Sequence, residues 1–192
     1  MFIKLLPEDK KILLLNLARL MALSDKPLLW AGKTKDELTA DSDLSALSIQ
    51  HGEAENELIT ELEQSISAPA IALFGVFPNS DKNKIENLLI EKLKAIPLSK
   101  IDAPEQRVQS ALAVIKVLLE NNVKSAPAEG KIMLLQLILI SLRDGHISSI
   151  EWALLKEIQL RYQLPDFIFS DLLERAEALN SELSKTLSLV LE

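Results

Sequence analysis

Gly130 to Leu164 reads GKIMLLQLILISLRDGHISSIEWALLKEIQLRYQL, and the two apolar runs either side of its sharp turn decide the fold. From Lys131 to about Leu142 only Gln136 and Ser141 break an otherwise apolar run. A helix of that kind has no polar face, so most of its surface must be buried. The run stops at Arg143-Asp144-Gly145. Glycine adopts the left-handed conformation that commonly ends a helix, and Arg143 sets a cation near the negative end of the dipole. Ser148-Ser149-Ile150-Glu151 follows. Ser148 caps the next helix while Glu151, at its third position, reaches back to form a capping box.

Working outward, Pro7-Glu8-Asp9 opens a helix that runs to about Leu23 and is again apolar nearly all round, until Pro27 forbids continuation. Its core, Lys11-Ile12-Leu13-Leu14-Leu15-Asn16-Leu17, aligns with Lys131-Ile132-Met133-Leu134-Leu135-Gln136-Leu137 at five of seven positions. Both copies lead into a turn that holds an aspartate, Asp25 or Asp144. The pattern suggests two related halves, about 1–100 and 101–192, within a single domain spanning 1–192. Trp30-Ala31-Gly32 reads as a single turn. Helices are then expected from Asp41 or Asp43 to about Ile66, bent at His51-Gly52, and after Ser80 or Asp81. A short apolar piece lies between Pro69 and Phe77. Further helices are expected over Pro104–Asn121, Glu151–Tyr162, from Asp166 through Ala176, and over Asn180–Glu192. No segment reads as a strand. Trp30, Trp152, Tyr162, Phe167 and Phe169 read as core aromatics. Leu183, Leu187, Val190 and Leu191 are expected to fold back onto the bundle. The fold class is all-α, a compact bundle of seven or eight short helices.

Composition narrows the function. The chain of 192 residues is 48% hydrophobic, poor in glycine and aromatics, and carries a net charge of −7. An acidic protein repels phosphate, so nucleic acid is not the expected partner. With no cysteine, thiol catalysis and thiolate metal sites are excluded, and a cytoplasmic location fits. No run approaches the ~18 apolar residues of a membrane span. Phosphate-binding, dinucleotide-binding, zinc-protease and serine-hydrolase motifs are absent. No nucleophile–base or acid–base pair can be named, so the chain does not read as an enzyme.

One constellation combines charge with turn geometry. Set on a calcium loop of the EF-hand kind, Asp144 falls at position 5, Gly145 at 6, Ser148 at 9 and Glu151 at 12. Positions 1 and 3 are Ile140 and Leu142, which offer no side-chain oxygen, so a full EF-hand site is excluded. A smaller site for a divalent cation such as calcium would take Asp144 and Glu151, with Asp25 or acids from Asp36 to Asp43 approaching from the other half. The alternative is that Asp144-Gly145 turns the chain and Ser148 with Glu151 caps a helix. His51 and Glu55, four residues apart on one helix face, read as a surface pair. Glu53 to Glu63 reads as a solvated face.

The run Asp144-Gly145-His146-Ile147-Ser148-Ser149-Ile150-Glu151-Trp152, followed by Leu154-Leu155, Ile158 and Leu164-Pro165, resembles the TerB-like family, named for tellurite resistance. The resemblance covers about residues 130 to 176. It implies an all-helical bundle in two related halves, each with an acidic helix-turn-helix. It also implies a link to stress response and metal-oxyanion resistance, without a catalytic reaction. The first half departs from the pattern, because Asp25 is followed by Lys26-Pro27, with neither the glycine nor the glutamate. Two functions are expected from these readings. One is a TerB-like module that presents its acidic turn to a divalent cation or a protein partner. The other is a metal-independent interaction or dimerisation domain that uses the last helix.

Overall fold

A computed structural model describes residues 2–52, 57, 59–64, 66, 82–120 and 126–191, with the backbone alone for residues 2, 82 and 144. Six helices have described bounds: α1 (Glu8–Ser24), α2 (Lys82–Lys94), α3 (Pro104–Leu119), α4 (Pro127–Ser141), α5 (Ser149–Arg161) and α6 (Asp166–Leu191). Residues 59–64 are helical as well. The all-α expectation holds.

Prolines set the helix starts. Pro7 precedes α1 in extended geometry, and Pro104 and Pro127 occupy first-turn positions of α3 and α4, where no N–H is needed and φ is already helical. Glu129 reaches back to take the Ala126 N–H at 3.2 Å, satisfying one of the orphan donors at the start of α4.

The two helices of similar sequence, α1 and α4, pack against each other at the centre. From α1 come Leu13, Leu14, Leu17, Leu20 and Met21, and from α4 Met133, Leu134, Leu137 and Ile138, all buried. Around this pair, α2 and α3 cover α1, α5 bridges α1, α3 and α4, and α6 lies along α4. The turn Phe2–Leu5 covers α4 from a further side. One hydrophobic cluster runs from Ile3 to Ala176 without interruption. The two similar helices therefore share one core.

Several expectations need correction. No helix begins at Asp41 or Asp43: Leu28–Trp30 (β1) and Leu47–Ile49 (β2) instead form an antiparallel ribbon, with Leu28 opposite Ile49 and Trp30 opposite Leu47. Burial alternates along both strands, the period-two pattern of a half-covered ribbon. Asp43 accepts from the Ser45 N–H at 2.9 Å and the Ser45 hydroxyl at 2.7 Å. It thus closes a turn with the same chemistry that would have capped a helix. Trp30-Ala31-Gly32 is not a free-standing turn, since Trp30 ends β1, and Ala31 and Gly32 turn the chain at φ 50° and 81°.

The last two expected helices are one. Asn180-Ser181 holds neither glycine nor proline, and Asn180 sends its side-chain amide to the Leu142 carbonyl at 3.0 Å, so it does not compete for its own backbone. The aromatics also divide. Trp30 and Phe169 are buried and Tyr162 is half-buried, whereas Trp152 and Phe167 are exposed, as is Leu160. Trp152 stands edge-on to Phe169 with ring centroids 5.3 Å apart, roofing the core from its rim. The piece expected over Pro69–Phe77 lies outside the described residues, as do Ser80 and Asp81.

At Gly130, α4 comes close to Tyr162 at the end of α5. A Cβ built there would stand 2.7 Å from Tyr162 Cδ1 and 2.9 Å from its Cβ. Because the Tyr162 Cβ is fixed to the backbone, the ring cannot simply swing aside. Gly130→Ala is expected to cost about 1–3 kcal/mol by overpacking, read as a lower urea midpoint. An unchanged midpoint would show that α5 does not hold Tyr162 against α4 in solution.

Candidate functional site

The acidic turn has the local geometry its spacing implies. After α4 the chain tightens through Leu142–Asp144, and Gly145 takes φ 83°, ψ −4°, with its N–H on the Leu142 carbonyl at 2.9 Å. A Cβ on Gly145 would meet nothing within 4 Å, so glycine is needed there for conformation, not for space. Ser148 then caps α5. Its Oγ accepts from the Glu151 N–H at 3.2 Å, and Glu151 Oε2 accepts from the Ser148 N–H at 2.8 Å, a complete capping box.

Glu151 also sits among groups from other elements. Burial pushes its carboxyl above the ordinary range, the two Ser148 hydrogen bonds pull the other way, and the charge of Asp25 pushes it up again. The Ser141 hydroxyl, buried at the end of α4, faces this carboxylate and favours its charged form, the smallest of these influences. Asp25 is brought near by the end of α1. That end is pinned by Arg107 of α3, whose guanidinium donates at 2.7 Å to both the Ser24 and the Lys26 carbonyls. Burial pulls the Arg107 pKa down, and Asp102 and Asp25 act against that pull.

Of the three acids expected to converge, the fold thus brings Glu151 and Asp25 within electrostatic reach of each other. The Asp144 side chain lies outside the described residues. No group of three or more His, Cys, Asp or Glu among the described residues could hold a metal ion. The acids from Asp36 to Asp43 have local roles or face solvent: Glu37 accepts from the Thr34 N–H at 2.7 Å, Asp43 holds Ser45, and Asp36 and Asp41 are exposed. His51 meets Glu86 of α2 at 3.1 Å, while Glu55 and Glu53 lie outside the described residues. Within the acidic run, Glu57 and Glu61 are exposed, but Glu63 is not a solvated residue. It pairs with buried Arg19 at 2.7 Å, where a lone charge would be costly.

A second feature comes from α6, where the structure overturns the expected fold-back. This helix has 26 residues, about 39 Å at 1.5 Å per residue. It runs beside α4 in the same direction: Ile168 lies near Pro127 and Lys131, and Asn180 meets Leu142. Phe169 and Ala176 are buried. Beyond Asn180, α4 has ended and the apolar side chains stand in solvent, with Leu183 53%, Leu187 60%, Val190 74% and Leu191 84% exposed. The spacing that reads as a core stripe is present, but among the described residues nothing covers it. An open groove of about 530 Å³ lies where the two features meet, lined by Gly145, His146 and Trp152 on one side and Glu177, Asn180 and Ser181 on the other.

The Glu151 environment has a testable sign. Its folded-state pKa is raised above 4.5, so the folded chain keeps a proton that the unfolded chain has lost. Stability therefore falls as pH rises from about 4.5 through the raised value. Glu151→Gln keeps the capping geometry and removes the titration. Its melting temperature relative to the parent should climb as pH rises towards neutrality, and identical pH profiles would refute the assignment. Among described residues no helix is long and apolar enough to cross a membrane, and comparisons with protein families, curated proteins and solved structures return no match for this chain.

Proposed function

We propose that this protein is a non-catalytic helical interaction module, in which a packed body holds out the second half of α6 as a binding surface. The observation that carries this reading is the exposed apolar face formed by Leu183, Leu187, Val190 and Leu191. Fully burying a leucine-sized side chain is worth about 1.5–3 kcal/mol. Covering these four, already part-shielded, contributes roughly 4–8 kcal/mol. Association costs an estimated 4–15 kcal/mol, so the partner must bring apolar surface of its own. The TerB-like resemblance of the hairpin adds a setting, a stress or tellurite response in which such a module acts as an adaptor.

A test uses the double substitution Leu183→Glu/Leu187→Glu. Because these side chains support no core, the variant should melt within about 2 °C of the parent, as surface changes of ~0.5 kcal/mol or less do in a chain of this size. A fall several times larger would mean that the segment is folded against the body in solution, and the reading would fail.

A second reading keeps the acidic turn as a cation site, and the proximity of Asp25 to Glu151 is what favours it. Two neighbouring carboxylates, one of them hard to ionise, are relieved by a divalent cation. An ion such as calcium at about 100 times its dissociation constant would add roughly 2.7 kcal/mol to stability. The parent should then melt higher in millimolar calcium while Asp25→Ala/Glu151→Ala does not respond. Equal responses in both, or none with calcium, manganese or magnesium, would remove this reading.

A further inference from the structure

We propose that a separate binding site lies at the other end of α6 from Leu183–Leu191, in a cavity that takes a small organic anion: one carboxylate carried on an apolar body.

The cavity forms where three helix ends meet. Helix α4 opens at Pro127, α5 closes at Arg161, and the chain then turns through Gln163, at φ 52°, and Leu164-Pro165 into α6. Gly130 lets Tyr162 close on α4, which sets the start of α4 beside the end of α5. The space enclosed by these ends is about 590 Å³, inside the roughly 300–1,000 Å³ that small-molecule sites span.

Its lining has two characters. Leu119, Leu164, Pro165, Phe167 and Ile168 supply apolar surface. Leu119 and Leu164 are buried beneath it, while Phe167 is 70% exposed and is therefore free to pack on a bound molecule. Lys131 and Arg161 supply charge, and among the described residues of the lining none is acidic. That local excess runs against a chain with 28 acidic and 21 basic residues.

Pairing decides the sign of the ligand. Arg19 holds Glu63, Arg107 holds two carbonyls, Arg143 meets Glu57 and Arg175 meets Asp171. Of the five arginines, Arg161 alone has no side-chain partner among the described residues, and Lys131 has none there either. A guanidinium offers a planar fork that matches a carboxylate at two points, and the lysine adds a point charge. Two cations lining one cavity repel each other, and an anion between them turns both interactions favourable. Apolar walls strengthen the local field. The net charge of −7 opposes anions at a distance, so a bare ion gains little and the ligand needs an apolar body to bury.

The test uses the full chain and the dye anilinonaphthalene sulfonate, whose sulfonate stands in for the carboxylate and whose rings stand in for the apolar body. The parent should bind it saturably. Lys131→Gln/Arg161→Gln should bind it about tenfold more weakly or worse, as the loss of a hydrogen bond to a charged group implies, while neutral phenylnaphthylamine binds both proteins alike. Phe167→Ala, which removes an exposed side chain, should also weaken the sulfonate. Octanoate should displace the dye from the parent, and inorganic phosphate at the same concentration should not. Equal sulfonate binding by the parent and the charge variant would overturn the proposal, as would displacement by phosphate as effective as by octanoate. Should the charge variant fail to fold, unchanged binding by Phe167→Ala overturns it instead. Leu183→Glu/Leu187→Glu should bind the dye as the parent does; if that variant alone loses it, the dye sits on the far end of α6 and the cavity holds no ligand.

Discussion

Helix α4 has no polar side to turn to water, and the rest of the structure is arranged around that constraint. Fifteen residues hold only Glu129, Lys131, Gln136 and Ser141 as polar side chains, and Gln136 and Ser141 are themselves buried. Covering such a helix takes neighbours on every side, here α1, α5, α6 and the turn Phe2–Leu5. The cost is visible at Gln136 Nε2, which is buried without a hydrogen-bond partner, a loss of order 1–3 kcal/mol. Apolar burial around the helix outweighs it. The same crowding makes glycine necessary at position 130, where Tyr162 closes over the helix and its hydroxyl reaches the Met133 sulfur at 2.9 Å.

Polar groups then lock what the apolar core places. Arg107 gathers the carbonyls of Ser24, the last residue of α1, and of Lys26 just past it, which stops that end from fraying and holds Asp25 towards α5. Arg19 is buried but shares a 2.7 Å contact with Glu63, tying α1 to the helical residues 59–64. Breaking one side of such a pair leaves an uncompensated charge, so these contacts fix how the helices sit even where they add little net stability. The acidic turn belongs to this layer. Its glycine, serine and glutamate each serve the backbone first, and any further role for Glu151 depends on Asp25, which the body delivers from a distant part of the chain.

The contrast between α4 and α6 links architecture to function. The two run side by side, but α6 is the longer, and α4 turns away at Leu142. A helix whose apolar face outlasts its support presents that face to solvent. Exposed apolar surface of this kind usually marks contact with something else.

How much of this was legible in the residues depends on how local each feature is. The helix Lys131–Leu142, the left-handed Gly145 and the Ser148–Glu151 box could be read directly, because each rests on contacts within a few residues. The ribbon of Leu28–Trp30 with Leu47–Ile49 could not, since its pairing spans some twenty residues and Asp43 signals a turn and a helix cap in the same chemistry. The partnership of Arg19 with Glu63 and the approach of Asp25 to Glu151 were likewise set by packing over long sequence separations. For the last helix the residues determined which leucines share a face, because helical periodicity is a local property. Only the tertiary structure decided whether that face is covered, because coverage depends on where the neighbouring helix ends, and α4 ends too soon.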